Sequence, residues 1–120
     1  MKRTVIITAL CSALFGATPA RTHAMLDHAV PAVGSTVSTA PRELLLWFTQ
    51  DLEPAFSRVE VRSANGTRID SGKARVDGSN LNLVHVSLRG LSPGIYKVSW
   101  HVLSTDTHTT EGTFTFQVSK

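Results

Sequence analysis

The chain has 120 residues, with 12 Lys and Arg against 9 Asp and Glu, a formal charge of +3 and a single cysteine. The excess charge and the cysteine both belong to its first two dozen residues. Without those residues the chain is neutral and thiol-free. That excludes an electrostatic case for nucleic acid or an anionic membrane as partner, and it excludes disulfide staples and thiolate metal sites.

The opening "MKRTVIITALCSALFGATPARTHA" carries Lys2 and Arg3, then a 13-residue apolar run from Val5 to Ala17, then small and breaking residues. That is the layout of a cleaved secretory signal peptide, and the run is too short to span a bilayer. Residues 1–22 are read as leader and residues 23–120 as one domain. Cleavage before His23 removes Lys2, Arg3, Cys11 and Arg21, leaving 98 residues with nine basic and nine acidic side chains. A chain of that size holds one modest core. A cut after Ala24 would delete His23, and a cut after Ala20 would leave Arg21 and Thr22 ahead of it.

From Leu44 onward a two-residue rhythm is broken by turn signals every eight to twelve residues. "RELLLWFTQ" is an apolar run with Trp47 and Phe48, and "FSRVEVRS" sets Val59 and Val61 opposite Arg58, Glu60 and Arg62. Asn65-Gly66 is a hairpin signal, because both residues tolerate positive φ, and "DGSN" is a second turn. In "LNLVHVSL", Leu81 and Leu83 have one parity while Val84, Val86 and Leu88 have the other, so a register change or bulge is expected near Val84. "YKVSWHV" places Tyr96, Val98, Trp100 and Val102 on one face, and "TFTFQV" does the same for Phe114, Phe116 and Val118. No ten-residue stretch of the mature part has a helical period. About seven short, one-sided strands must pack between two sheets, which predicts an all-β, immunoglobulin-like Greek-key β-sandwich.

The histidines are His23, His28, His85, His101 and His108. His85 and His101 have parity opposite to their apolar neighbours and read as solvent-facing or satisfied sheet residues. His28 lies in an extended start bounded by a proline and reads as something other than a primary ligand. Asp106 and His108, in "STDTH", are different. In an extended segment residues i and i+2 point to one side with Cβ atoms ~6.5–7 Å apart, so a carboxylate and an imidazole can meet one metal ion. The competing reading is a polar turn capped by Asp106. His23 as a mature N-terminus adds two nitrogens, its α-amine and its ring Nδ1, which close a chelate ring. The amine titrates near ~7.7–8, so deprotonating it at neutral pH costs only about 1 kcal/mol. Three nitrogens and an oxygen suit Cu(II), and Zn(II) fits the same donors less selectively.

Three stretches resemble the CopC family of periplasmic copper-binding, copper-resistance proteins. They are "HAMLDHAVPAVGSTV", "APRELLLWFTQDLEPAFSRVEV" and "LSPGIYKVSWHVLSTDTHTTEGTFTFQV". The last, with its Leu-x-Pro-Gly-x-Tyr and Ser-x-Asp-x-His elements, is the most specific, and together they cover 65 of the 98 residues from 23 to 120. The resemblance implies a standalone periplasmic sandwich that handles copper without catalysis, binding one Cu(II) per chain through His23, Asp106 and His108. It implies a monomer, not embedded in the membrane after cleavage, with a membrane copper importer of the CopD type as a further partner. It also likens residues 91–96 to a tyrosine corner with a structural role.

This chain departs from the family in two places. Met1 and Met25 are its only methionines, so the Met-rich Cu(I) loop of some members is missing, and the family's Phe-Ser-Glu reads Phe48-Thr49-Gln50. Two other classes remain open at this stage: an oxidative enzyme with a copper histidine brace, and a metal-free immunoglobulin-like interaction module.

Overall fold

The computed structural model describes residues 24–120. The leader and His23 lie outside the described residues. Eight strands form two four-stranded sheets: β1 Leu26–Val30, β2 Thr36–Val37, β3 Glu43–Phe48, β4 Arg58–Ser63, β5 Asp70–Asp77, β6 Asn80–Leu88, β7 Gly94–Leu103 and β8 Thr109–Val118. One sheet has the order β1-β3-β6-β5 and the other β2-β8-β7-β4. The expected all-β sandwich is borne out, with β1, the two-residue β2 and β5 added to the strands legible from alternation. Among the described residues no helix is long and apolar enough to cross a membrane.

The core follows from the alternation. Leu44, Leu46 and Phe48 of β3 and Val84 and Val86 of β6 face Val59, Val61, Tyr96, Val98, Trp100, Val102, Phe114 and Phe116 of the other sheet, all buried. Each such side chain contributes roughly 1.5–3 kcal/mol when fully removed from water. Trp100 lies inside the sandwich opposite Gly112 of β8 and packs edge-on against Phe48 at 5.2 Å. A Cβ at position 112 would stand 2.6 Å from Trp100 Cζ2, so the indole takes the space that glycine leaves.

Near Val84 the outcome is more specific than a simple change of register. Pairing of β6 with β3 runs unbroken from Glu43↔Ser87 to Trp47↔Leu83, so Leu83 faces outward against Trp47. The irregularity lies on the other side of β6, where β5 shifts register between Val76 and Asp77.

The Asn65-Gly66 turn forms, with Gly66 alone at a positive φ of 89° and Asn65 Oδ1 accepting from the Thr67 N–H at 3.1 Å. Its arms soon part, because β4 and β5 belong to different sheets. Asp70, 1% exposed, ties them where they part. Its carboxylate accepts from the Val61 N–H at 2.9 Å and from Arg68 Nε at 2.9 Å. The tyrosine corner is present as well, with the Tyr96 hydroxyl donating to the Ser92 carbonyl at 2.5 Å.

Candidate metal centre

β7 and β8 are paired over their full lengths, and the last pair is Leu103↔Thr109. The connection between them must reverse the chain within residues 104–108. Ser104 keeps the inward parity of Trp100 and Val102, is fully buried, and forms a bridge with the equally buried Leu52. Its N–H donates to the His108 carbonyl at 3.0 Å, and the Thr107 N–H donates to the Ser104 carbonyl at 2.9 Å. On the outside of the loop, the Thr105 N–H donates to the Asp51 carbonyl at 3.0 Å. The segment after β3, which contains Gln50, therefore runs along this loop.

The sequence reading expected Asp106 and His108 on an extended segment. They lie instead in a turn, because a short link between two paired strands cannot stay extended. Thr107 takes a left-handed φ of 71°, uncommon for a β-branched residue. With Thr107 so placed, His108 Nδ1 lies 3.4 Å from Asp106 Oδ1, and both side chains are about half exposed. The Ser104 hydroxyl donates to the same Asp106 oxygen. That hydroxyl, and then the His108 ring, hold the Asp106 carboxyl below the usual carboxylate range, against the opposing effect of desolvation.

An anionic oxygen and an imidazole nitrogen at this separation fit a single ion. Donors ~2.0–2.1 Å from a common metal and this far apart subtend roughly 110–115°. Among the described residues no group of three or more His, Cys, Asp or Glu side chains comes together to hold a metal. The described residues bring two of the three predicted side chains together, Asp106 and His108. The third predicted residue, His23, lies outside the described residues.

The residue that follows it is described. Ala24 is fully buried, and its carbonyl accepts from the Thr110 hydroxyl at 2.6 Å, two positions after His108. The Met25 N–H donates to Thr49 Oγ1 at 2.9 Å, and the Thr49 N–H donates to the Met25 carbonyl at 2.8 Å. Two threonines thus tether the start of the described chain beside the β7–β8 loop. Sequence reasoning missed Ser104 and Thr110. The available signal was a hydroxyl at an inward-parity position at the end of β7 and at the start of β8.

The other histidines are placed elsewhere. His85 is clamped between Glu43 and Asp77, each at 2.9 Å, so its reading as a satisfied sheet residue holds. His28 stacks on Trp47 at 4.4 Å with its Nδ1 2.7 Å from Asp27, on the outer face of the first sheet. His101 keeps the outward parity and is partly exposed, but its Nδ1 is buried without a hydrogen-bond partner among the described residues. A cavity of about 460 Å³ lies among Ser63, Asn65, Ser92, Gly94 and Tyr96. That is the length of β7, roughly 30 Å, away from Asp106.

The fold and this loop define a small β-sandwich with a carboxylate–imidazole pair at one end. The chain belongs to the CopC family: the CopC domain matches residues 26–119. Protein YobA of Escherichia coli K12 is 35% identical over 97 residues, covering 80% of this chain and 78% of that protein. Copper resistance protein C of Pseudomonas syringae pv. tomato is 29% identical over 124 residues, covering 98% of each. The crystal structure of CopC from Methylosinus trichosporium OB3b superposes with a TM-score of 0.76 at 28% identity, covering 81% of this chain and 94% of that one.

Proposed function

We propose that this protein is a periplasmic Cu(II)-binding protein of copper resistance, sequestration or delivery. It holds one copper ion per chain between the His23 amine and ring, the His108 ring and the Asp106 carboxylate. The observation that carries this reading is the tether of Ala24 to Thr110. It fixes the residue bonded to His23 against Thr110 of β8, two positions after His108, so one ion can be reached from both ends of the sequence. The relative named copper resistance protein C supports copper as the cargo. Nitrogen-rich donors with one carboxylate favour Cu(II) in the divalent affinity order.

The reading requires cleavage of the leader before His23, since only a free terminal amine completes the chelate. It is a binding function, not catalysis. Asp106 stands beside His108, on a position an oxygen-activating copper would need open. A membrane copper importer of the CopD type is the partner this reading suggests, with the copper-loaded monomer as donor.

Intact mass of the protein exported from cells, before and after one equivalent of Cu(II), tests it. The reading expects a chain starting at His23 that gains one copper. A start at Arg21 or Met25, or no copper gained, contradicts it and favours an interaction module without metal.

A further inference from the structure

We infer that Ser104 is a positioning residue of the metal centre, its buried hydroxyl fixing the Asp106 carboxylate for a bound ion. This rests on the copper reading above and goes beyond its three ligands.

Two backbone bonds already close the turn without the hydroxyl, from the Ser104 N–H to the His108 carbonyl and from the Thr107 N–H to the Ser104 carbonyl. The hydroxyl has a single proton. Two acceptors compete for it, the Asp106 carboxylate and the His108 carbonyl at 3.2 Å, and the carboxylate is the nearer. The hydroxyl oxygen in turn lies 3.4 Å from the His108 N–H. One buried oxygen therefore touches both residues of the metal-facing pair.

Ser104 is fully buried, whereas Asp106 is about half exposed. Water can reach the carboxylate but cannot take the place of the serine. The bridge to Leu52 anchors Ser104 in the core, so the hydroxyl adds the rigidity of the sandwich to the hold that His108 has on the Asp106 side chain. Ser104 and the His108 ring meet the same oxygen, Oδ1, so the serine sets the orientation of the carboxylate relative to the imidazole. Outer-shell hydrogen bonds of this kind typically change metal affinity about 10–100-fold.

The test is a double-mutant cycle on the chain starting at His23: wild type, Ser104→Ala, Asp106→Ala and the double variant. Cu(II) affinity is read by competition with a chelator, the copper environment by electron paramagnetic resonance, and the fold by circular dichroism. The expected result is a folded Ser104→Ala with copper binding weakened about tenfold or more and altered hyperfine splitting. Adding Ser104→Ala to Asp106→Ala should then cost no further affinity.

Unchanged affinity and spectrum in Ser104→Ala overturn the inference while leaving the copper reading intact. So does an equal loss in both backgrounds, which marks a merely structural role. A wild type that binds no copper, or an Asp106→Ala that binds as tightly as wild type, overturns the copper reading and this inference with it. Should Ser104→Ala fail to fold, Ser104→Thr keeps the hydroxyl. A folded Thr variant must then match the wild-type affinity and spectrum, and weakened binding in it contradicts the inference.

Discussion

The Thr110 hydroxyl donates to the Ala24 carbonyl at 2.6 Å, joining residues 86 positions apart. One bond thereby links the first described residue to the strand that leaves the Asp106–His108 turn. Thr110→Val keeps the branched side chain and removes the donor. Its expected cost in stability is that of one hydrogen bond, about 0.5–1.5 kcal/mol. Its expected cost in Cu(II) affinity is larger, about tenfold or more, because it acts on the positioning of a ligand. Denaturant titration and chelator competition on the same sample separate the two, and wild-type affinity in the variant would contradict the tether's role.

Asp70 gives a stability prediction away from the site. Burial opposes its ionisation, but the Arg68 guanidinium and the Val61 N–H outweigh burial and hold the carboxyl below its ordinary value. The unfolded chain then binds the extra proton, so this contribution is complete above about pH 4. It is lost as pH falls through the lower, folded-state value. Asp70→Asn should cost about 1.5–3 kcal/mol at neutral pH, as expected for hydrogen bonds to a charged group. Chemical denaturation of both proteins across the acid range checks this: the difference should shrink with falling pH, and a constant difference contradicts it.

Gly112→Ala should destabilise the sandwich by about 1–3 kcal/mol, the usual cost of overpacking. The added methyl would stand 2.6 Å from Trp100 Cζ2 and 2.9 Å from Cε2, both within the rigid indole. The ring must then shift, which disturbs its edge-on contact with Phe48. A lower melting temperature together with a changed near-ultraviolet circular dichroism signal is the expected result. An unchanged melt would mean that the indole has room to yield.

The fold was legible because the inward rows are long and uninterrupted. Val98, Trp100 and Val102, or Phe114, Phe116 and Val118, leave no doubt which face is buried. Leu83 faces outward opposite Trp47, and the register irregularity that its parity suggested lies in the partner strand β5, at the Val76–Asp77 step beside Val84. β2 was invisible for a different reason. Two residues pairing parallel with the end of β8 carry no periodicity of their own.

The Asp106–His108 pair was legible by residue type, since Asp-x-His is a local signal and can be read directly. Its geometry was not. The left-handed Thr107 and the buried Ser104 and Thr110 hydroxyls express contacts between distant parts of the chain. No spacing rule places Ala24 beside Thr110.

The proposed function rests on one Cu(II) held from both ends of the sequence. Electron paramagnetic resonance of the chain starting at His23, loaded with one equivalent of Cu(II) and compared with His108→Ala and with a chain starting at Met25, tests it most directly. The account predicts one copper in wild type with three coupled nitrogens, one fewer in His108→Ala, and loss of the high-affinity signal without His23. Identical spectra in wild type and His108→Ala, or an unchanged signal in the chain starting at Met25, would contradict it.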